Sequence, residues 1–388
     1  MAKSIFRRIY GQAPRFLIAV LIMQFSVGCA GPRAVTGLGT VDNKGAQRSS
    51  LIPLLVATTR ERVEDPEIAY SRSRADALMF SSIDVRIPDA HRPGDVPTSS
   101  AQPDPRRQFT AANYQVIPNA DAFVREMNAQ LMKRSEPQRE VFIFVHGYNN
   151  NFAESLFRNA QIAHDYDVRS VPVHFSWASA ANFTRYLYDR DSAIIARNGL
   201  AQTLQLAART NTKGIIVVGH SMGALVVMEA LRTLSMEKRT AELKKIKGVL
   251  LAAPDIDPDM FQSQVNDIEP LPQPFTIVVS RRDRALDISR RLTGGNARIG
   301  SGADIAFLQK KNIQVLDISQ VDSGGHSSFA SSNTLIKLLG SGKLLRQMIT
   351  DEYAGLDDAF VTSGQGTFEQ ASLVLHLPVR IIDRLSKR

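Results

Sequence analysis

Short apolar segments recur between residues 141 and 317 and are separated by stretches of helical or loop character. Strands that are buried on both faces of a parallel sheet have this apolar composition. The segments occupy residues 141–145, 171–175, 214–218, 247–252, 275–279 and 313–317. Their alternation with helical stretches predicts an α/β fold: a doubly wound, mostly parallel sheet with helices on both faces.

The rest of the chain extends this region into one large domain. The chain has 388 residues, and α/β folds of 250 residues or more commonly form a single unit. Residues 51–60 and 80–87 have the character of strands, residues 88–110 form a proline-rich loop, and residues 119–134 have the apolar spacing of an amphipathic helix. We predict one domain over residues 51–345.

A C-terminal extension follows the predicted domain over residues 346–388. From Thr367 onward, apolar residues and arginines interleave, which we interpret as a helix. Docking on the domain is the simplest role for this helical extension. A role at a membrane surface is the alternative.

The first 28 residues have the organisation of an export signal. A basic start without acidic residues precedes an apolar run over Phe16–Phe25, and small residues then lead to Cys29, the only cysteine. The apolar run is too short for a membrane span, which needs about 20 residues. The formal charge of +9 includes four cations of this signal, and the remaining charge is mostly spread along the chain, which argues against nucleic-acid binding.

The segment around Cys29 is similar to bacterial lipoprotein signals, in which the cysteine becomes the lipidated first residue of the mature chain. Ser26 departs from that pattern, because such signals usually have Leu at this position. We expect lipidation of Cys29, followed by a flexible tether over residues 29–50 that is rich in small and polar residues. The alternative is a conventional signal cleaved after Gly28 or Ala30.

The strongest local motif is the segment Gly219–Gly223, which reads GHSMG. An apolar strand runs into this segment and a helical stretch leaves it, which is the context of a nucleophile elbow. The glycines allow the sharp turn that would expose the hydroxyl of Ser221. We predict that Ser221 is a nucleophile; a glycine-rich connection without chemistry is the alternative.

A serine nucleophile needs a base, and the base needs an acid to orient it. Only His326 and His376 follow Ser221, and we select His326 because it lies in a glycine-containing loop just past a predicted strand. Asp283 and Asp255 each follow a strand at its carboxyl end, where open α/β sheets place catalytic groups. Asp283 is our predicted acid, and Asp255 is the alternative acid or the cap of the helix that follows it.

The loop after residues 141–145 has the composition expected of an oxyanion hole. Gly147 allows a close backbone approach, so we predict that the N–H groups of Tyr148 and Met222 bind the oxyanion. His146 and His220 flank these donors, and we assign them to loop packing rather than to metal binding. We expect neither a metal nor a cofactor.

Ordered motifs over about residues 50–340 resemble a bacterial α/β-hydrolase family of unknown function. These motifs are VATTR at 56–60, HRPGD at 91–95, FVHGYNN at 144–150, FSWAS at 175–179, GHSMG, LAAPDID at 251–257, SRRDRAL at 280–286 and GGHS at 324–327. The resemblance implies the α/β-hydrolase fold and a serine hydrolase with the triad Ser221, Asp283 and His326, but no substrate. Trp177, Tyr186 and Tyr188 would then line or roof the pocket; an ordinary place in the core is the alternative.

These observations lead to two hypotheses of different classes. The first is an exported, lipid-anchored serine esterase that acts through an acyl-enzyme on a small-molecule or lipid ester; a thioesterase, amidase or acyltransferase would use the same groups. The second is a non-catalytic envelope-binding lipoprotein. Lipidation would place the protein at the periplasmic face of the outer membrane, and its absence would leave it periplasmic or secreted.

Overall fold

The computed structural model describes residues 38–39, 50–98 and 103–337, and the backbone of 338–339, 366–368 and 371–376. All of these residues belong to one compact unit, Thr36–Arg388. The predicted export signal with Cys29, and most of the predicted C-terminal extension, lie outside the described residues. No helix within the described ranges combines the length and apolarity that a membrane crossing requires.

The described strands form a single sheet. They are β1 (Leu51–Arg62), β2 (Tyr70–Arg86), β3 (Thr110–Ile117), β4 (Glu140–Val145), β5 (Val171–Ser176), β6 (Gly214–His220), β7 (Ile246–Ala252), β8 (Phe275–Val279), β9 (Ile313–Asp317), β10 (Gly366–Phe368) and β11 (Ala371–His376). Their order is β10-β11-β9-β8-β7-β6-β4-β5-β1-β2-β3. The pairings from β1 to β9 through the centre are parallel, whereas β2, β3 and the C-terminal strands pair antiparallel.

The described helices cover both faces of this sheet. They are α1 (Ala120–Met132), α2 (Phe152–Asp165), α3 (Tyr186–Ala208), α4 (Met222–Met236), α5 (Thr240–Lys245), α6 (Pro258–Asp267), α7 (Arg284–Thr293), α8 (Ile305–Lys310), α9 (Ser328–Ser331) and α10 (Asn333–Leu339). Ile143 in β4 packs in the core with α1, α3, α4 and α6, whereas Phe142 and Phe144 pack in a second core with α2, α9 and α10. The predicted doubly wound sheet with helices on both faces is confirmed.

The strand order reverses at the centre of the sheet. After β4 the chain moves outward to β5, and it then returns to place β6 on the other side of β4. A crevice forms outside the carboxyl ends of two strands where such a reversal occurs, and ligands of open α/β sheets bind there. The loop that begins at His146 and the segment that begins at Ser221 both leave the sheet at this point.

Two predictions at the edges of the domain need correction, and one strand was not predicted. Residues 366–368 and 371–376 are strands that extend the sheet beyond β9, so the predicted C-terminal helix is wrong over these residues. Leu38, inside the predicted flexible tether, is fully buried, and its backbone bonds to Glu67 and Ala111. The strand β3, over Thr110–Ile117, follows the predicted loop and was not anticipated.

Candidate active site

Ser221 lies in a sharp turn between β6 and α4. Its backbone has φ 55° and ψ −123°, a strained conformation for a residue with a side chain. Packing around the turn requires glycine, because a Cβ on Gly223 would lie 2.4 Å from the carbonyl oxygens of Val145 and His146. A Cβ on Gly219 would lie 2.9 Å from the Cα of Ala224. The GHSMG segment therefore adopts the predicted strand–turn–helix geometry, with the start of α4 pressed against the end of β4.

His326 and Asp283 meet in a short hydrogen bond. The Nδ1–H of His326 donates to Oδ2 of Asp283 at 2.7 Å, and the Asp283 carboxylate is fully buried. The other carboxylate oxygen, Oδ1, accepts the backbone N–H groups of Ala285 and Leu286, so Asp283 also caps α7. The two oxygens of the carboxylate are therefore held by different partners, one by the imidazole and the other by the N-terminus of α7.

The loops that carry Asp283 and His326 are joined by further hydrogen bonds. Ser280 Oγ donates to the carbonyl oxygen of Gly324 at 2.6 Å, and the N–H of Arg281 donates to Ser319 Oγ at 2.8 Å. Gly324 has φ +59°, and a Cβ there would lie 2.9 Å from the carbonyl oxygen of Ser319. These contacts fix the position of the imidazole through the loop backbone rather than through the Asp283 carboxylate alone.

His220 connects the loop of His326, the predicted base, to the turn of Ser221, the predicted nucleophile. Its Nε2–H donates to the carbonyl oxygen of His326 at 3.1 Å, and the two imidazole rings are 4.9 Å apart. Burial lowers the pKa of His220 to about 3, so its ring stays neutral near pH 7. No hydrogen bond between Ser221 Oγ and His326 is formed within the described chain; such bonds often become short only in the complex with substrate.

Asp255, the alternative acid, is engaged elsewhere. Its carboxylate accepts the hydroxyls of Tyr186 at 2.9 Å and Ser289 at 2.6 Å, and Nε of Arg298 lies 3.2 Å from it. It does not contact His326 through any described hydrogen bond. It does not cap the following helix either, because Asp257 accepts the N–H groups at the start of α6.

The two predicted oxyanion donors lie at the strand ends that meet at the crevice. Met222 is the first residue of α4, so its N–H has no acceptor within the helix. In the loop after β4, the N–H groups of Asn149 and Asn150 donate to Asp189 and Ser179, whereas the Tyr148 N–H bonds to no other described residue. A Cβ on Gly147 would lie 2.9 Å from the Cβ of Ser221, so this loop passes directly beside the nucleophile turn.

His146 holds the start of the loop over residues 146–151, which we call the oxyanion loop because it carries the predicted donor Tyr148. Its Nδ1–H donates to the carbonyl oxygen of Gly147 at 2.8 Å, and Nε2 accepts the N–H of Trp177 at 3.2 Å. The Trp177 indole stacks on the imidazole at 5.0 Å and donates to the His146 carbonyl oxygen at 2.7 Å. Burial keeps the pKa of His146 well below its ordinary value, so the ring is a neutral packing group.

Two buried charged residues that sequence reasoning missed hold the same loop. The guanidinium of Arg60, in β1, donates to the carbonyl oxygens of Asn150 and Ser179 and to Ser176 Oγ. Asp189 accepts the hydroxyl of Ser179 and the N–H groups of Ala180 and Asn149. Burial lowers the pKa of Arg60 to about 9 and raises that of Asp189. The sequence offered one signal for this role, because Arg60 is a charged residue within the predicted strand segment VATTR.

The three aromatic residues predicted near the pocket have different places. Trp177 is fully buried in the core. Tyr186 is buried against Asp255 and meets the Tyr148 ring edge-on at 5.4 Å, so it forms part of the wall beside the oxyanion loop. Tyr188 lies between the guanidinium groups of Arg74 and Arg185, each about 4 Å from its ring centroid.

Two other features of the described residues lie apart from Ser221. His91 Nε2 and His164 Nδ1 both bond to Oδ1 of Asp165, at 2.6 and 2.9 Å, and this is the one described group whose atoms are spaced to share a metal ion. A cavity of about 730 Å³ lies between the β1–β2 hairpin and α3, and none of the predicted catalytic residues lines it.

Comparison with protein families gives one match. Residues 119–342 match the family described as "Alpha/beta hydrolase of unknown function (DUF900)". The match covers the region from α1 to α10, and together with the sheet order it confirms the predicted α/β-hydrolase fold. No curated protein matches the chain.

Several solved structures are similar at low sequence identity. A protein from Agrobacterium vitis S4, provisionally named a hydrolase, is 12% identical with a TM-score of 0.35, over 78% of this chain and 98% of its own. One of two fungal esterases from Rhizomucor miehei is 14% identical with a TM-score of 0.34, over 78% and 85%. Esterase B from Lactobacillus rhamnosis is 11% identical with a TM-score of 0.34, over 87% and 92%.

Proposed function

The chain belongs to the family of alpha/beta hydrolases of unknown function, and from this premise we propose that it is a serine hydrolase that cleaves carboxylic esters. The observation that carries the proposal is the strained turn at Ser221, which is joined through His220 to the loop of His326, an imidazole whose Nδ1–H is held by a buried carboxylate. Nucleophile, acid and base follow one another along the chain in the order used by this fold. Ser221, His326 and Asp283 are therefore the proposed triad.

In the proposed mechanism, Ser221 Oγ attacks the ester carbonyl carbon while Nε2 of His326 takes the hydroxyl proton. The carbonyl π electrons move to oxygen, and the N–H groups of Tyr148 and Met222 bind the resulting oxyanion. Asp283 remains ionised and stabilises the imidazolium. Collapse of the tetrahedral intermediate expels the alcohol, which receives the proton from Nε2. Water then repeats these steps on the acyl-enzyme and releases the carboxylic acid.

A fluorophosphonate probe tests the assignment of the nucleophile. The probe should label the wild-type chain and fail to label Ser221→Ala, because only a serine beside a functioning base reacts with it. Ser323→Ala, an exposed serine in the loop of His326, is the matched control and should keep the label. An unlabelled wild type would favour the non-catalytic envelope-binding hypothesis, and labelling of Ser221→Ala would exclude Ser221 as the nucleophile.

The substrate side of the proposal is an ester of a small molecule or a lipid. The triad does not define the leaving group, since thioesters and amides pass through the same tetrahedral intermediate. Rates for esters of increasing acyl length, compared with the corresponding thioesters and amides, would define the class. A rate for thioesters or amides that exceeds that for every ester would overturn the assignment to ester hydrolysis.

Export and lipid anchoring at Cys29 complete the proposal. They are supported by the basic and apolar segments that precede the only cysteine. Two or more attached acyl chains would hold the protein firmly, because each buried CH₂ contributes about 0.8 kcal/mol. Cys29→Ser should therefore lose firm attachment, so that a high-salt wash moves this variant, but not the wild type, from the membrane fraction to the soluble envelope fraction. A soluble wild type whose mature chain begins elsewhere would refute anchoring and leave the hydrolase proposal untouched.

A further inference from the structure

Large apolar side chains are exposed on two elements beside the proposed active site. Phe183 and Leu187, around the start of α3, are 63% and 67% exposed. Ile288 and Leu292, on α7, are 58% and 59% exposed. We call these four residues the apolar rim; large exposed apolar side chains that lie together mark interaction sites.

Hydrogen bonds connect both parts of the apolar rim to the catalytic loops. The Tyr148 hydroxyl donates to the carbonyl oxygen of Phe183, which ties this residue to the oxyanion loop. The helix that carries Ile288 and Leu292 begins directly after Asp283, which caps it. The rim therefore borders the proposed site from the oxyanion side and from the acid side.

A buried network also holds the two elements against each other. The hydroxyl of Tyr186 lies 2.9 Å from Ser289 Oγ, and both groups bond to the carboxylate of Asp255. Leu187 follows Tyr186 in α3, and Ile288 precedes Ser289 in α7. The two halves of the apolar rim thus flank one contact between α3 and α7.

The outward face of α7 is cationic as well as apolar. Leu286 and Ser289 are buried, whereas Arg284, Ile288 and Arg291 are exposed and lie three and four positions apart on the opposite face. Among the described residues, neither Arg284 nor Arg291 forms an ion pair. The one acid of this face, Asp287, lies 3.7 Å from Arg290. Two uncompensated cations therefore stand beside the apolar rim.

We infer that this face docks on an anionic lipid surface and brings the proposed active site to lipid esters. An apolar strip buried at the depth of the headgroups, with arginines that reach the phosphates beside it, is the usual composition of an interfacial helix. A second copy of the chain is the less suitable occupant. A two-fold interface would bring the same arginines of both copies together with one acid from each. The inference rests on the proposed function only for its choice of lipid esters as substrates.

Vesicle flotation tests the docking surface without catalysis. The full chain carries Ser221→Ala to prevent turnover and Cys29→Ser to remove the lipid anchor. Vesicles contain phosphatidylcholine alone or an equal mixture with phosphatidylglycerol. Ile288→Ser with Leu292→Ser should lower the partition coefficient about tenfold, because the apolar area that enters the interface is lost. Arg284→Gln with Arg291→Gln should lower it only on the anionic vesicles, and high salt should remove that difference.

Matched controls lie near the amino ends of the strands, at the side of the sheet away from the proposed active site. Met132 and Met236, 56% and 68% exposed, end the helices that lead to the amino ends of β4 and β7. Met132→Ser with Met236→Ser should leave vesicle binding unchanged, as should Lys238→Gln with Lys244→Gln for the cations. Equal losses in the control and the α7 variants would overturn the inference. So would a dimer in size-exclusion chromatography that the apolar α7 pair abolishes, because the face would then bind a second copy.

A second measurement separates docking from chemistry. With Ser221 restored, Ile288→Ser with Leu292→Ser should keep the rate on a water-soluble short ester and lose about tenfold on an ester embedded in anionic vesicles. Equal rates of variant and wild type on both substrates would refute the delivery of lipid esters. If the wild type hydrolysed neither ester, the proposed function would be refuted. The flotation result would still decide whether the α7 face docks on lipid.

Discussion

At the scale of single residues, the two carboxylates after β7 and β8 have separate tasks. Asp283 contacts the imidazole of His326 and is itself held by the N-terminus of α7. Asp255 binds two hydroxyls and a guanidinium between α3 and α7. In the proposed mechanism the first arrangement orients the base, whereas the second holds α3 and α7 together.

Exchanging each carboxylate for an amide separates these tasks. Asp283→Asn should lower kcat by roughly 10⁴, because an amide favours the wrong imidazole tautomer. Asp255→Asn should leave kcat within about tenfold but lower the unfolding temperature, because Arg298 would remain buried without its partner. Steady-state kinetics and thermal unfolding of both variants provide the measurements. The reverse ranking of the two kcat values would transfer the acid role to Asp255.

At the scale of elements, the site depends on how closely α4 approaches β4. A Cβ on Gly223 would meet two carbonyl oxygens at 2.4 Å, so Gly223→Ala must move the start of α4 away from the oxyanion loop. We expect kcat to fall by about 10², the effect of one lost oxyanion donor. Overpacking should also lower the free energy of unfolding by about 1–3 kcal/mol.

Gly295→Ala is the control for this variant. The nearest atom to a Cβ at Gly295 lies 3.6 Å away, which is ordinary contact. Kinetics and urea unfolding should leave this variant close to the wild type. If Gly223→Ala retained full activity, close contact between α4 and β4 would not be needed for catalysis.

The elements that the sequence predicted and those it missed differ in how they are buried. The strands from β4 to β9 are covered on both faces, so each is a continuous apolar run that can be recognised locally. β11 is a short strand whose pairing with β9 depends on distant residues, and its apolar run is too short for periodicity to separate strand from helix. β3 is an edge strand, and only part of it is buried, so it lacks a continuous buried apolar run.

The candidate site was accessible to sequence reasoning where chemistry and chain order restrict the choice. Ser221 is marked by its glycines, and only two histidines follow it. Arg60 and Asp189 affect the site only through the oxyanion loop that they hold. No local sequence pattern relates Arg60, in β1, to its partner Asn150, which lies 90 residues later in the chain. Their positions depend on the tertiary packing of β1 beside β5.

At the scale of the whole molecule, three histidines with lowered pKa values, of which His146 and His174 are buried and His220 is half-buried, relate the packing of the site to the pH dependence of stability. Burial lowers the pKa of His174 and of His220 to about 3, and that of His146 well below its ordinary value. His146 and His220 flank the catalytic loops, and His174 lies in β5 beneath them, with a ring 6.0 Å from that of His146. All three are therefore neutral in the folded protein near pH 6.

The unfolded chain binds more protons than the folded chain at these histidines once the pH falls below about 6.5. Stability must therefore decrease as the pH falls from 6.5 toward the folded-state pKa values, and each group contributes at most about 1.4 kcal/mol per pH unit. We expect the free energy of unfolding in urea to fall by up to about 3 kcal/mol between pH 6.5 and pH 5.5. His174→Gln should reduce this slope by about a third, because one of the three groups no longer titrates. A free energy that is constant over this interval would show that these rings accept protons without unfolding, and the neutral packing of the oxyanion loop on His146 would then not hold.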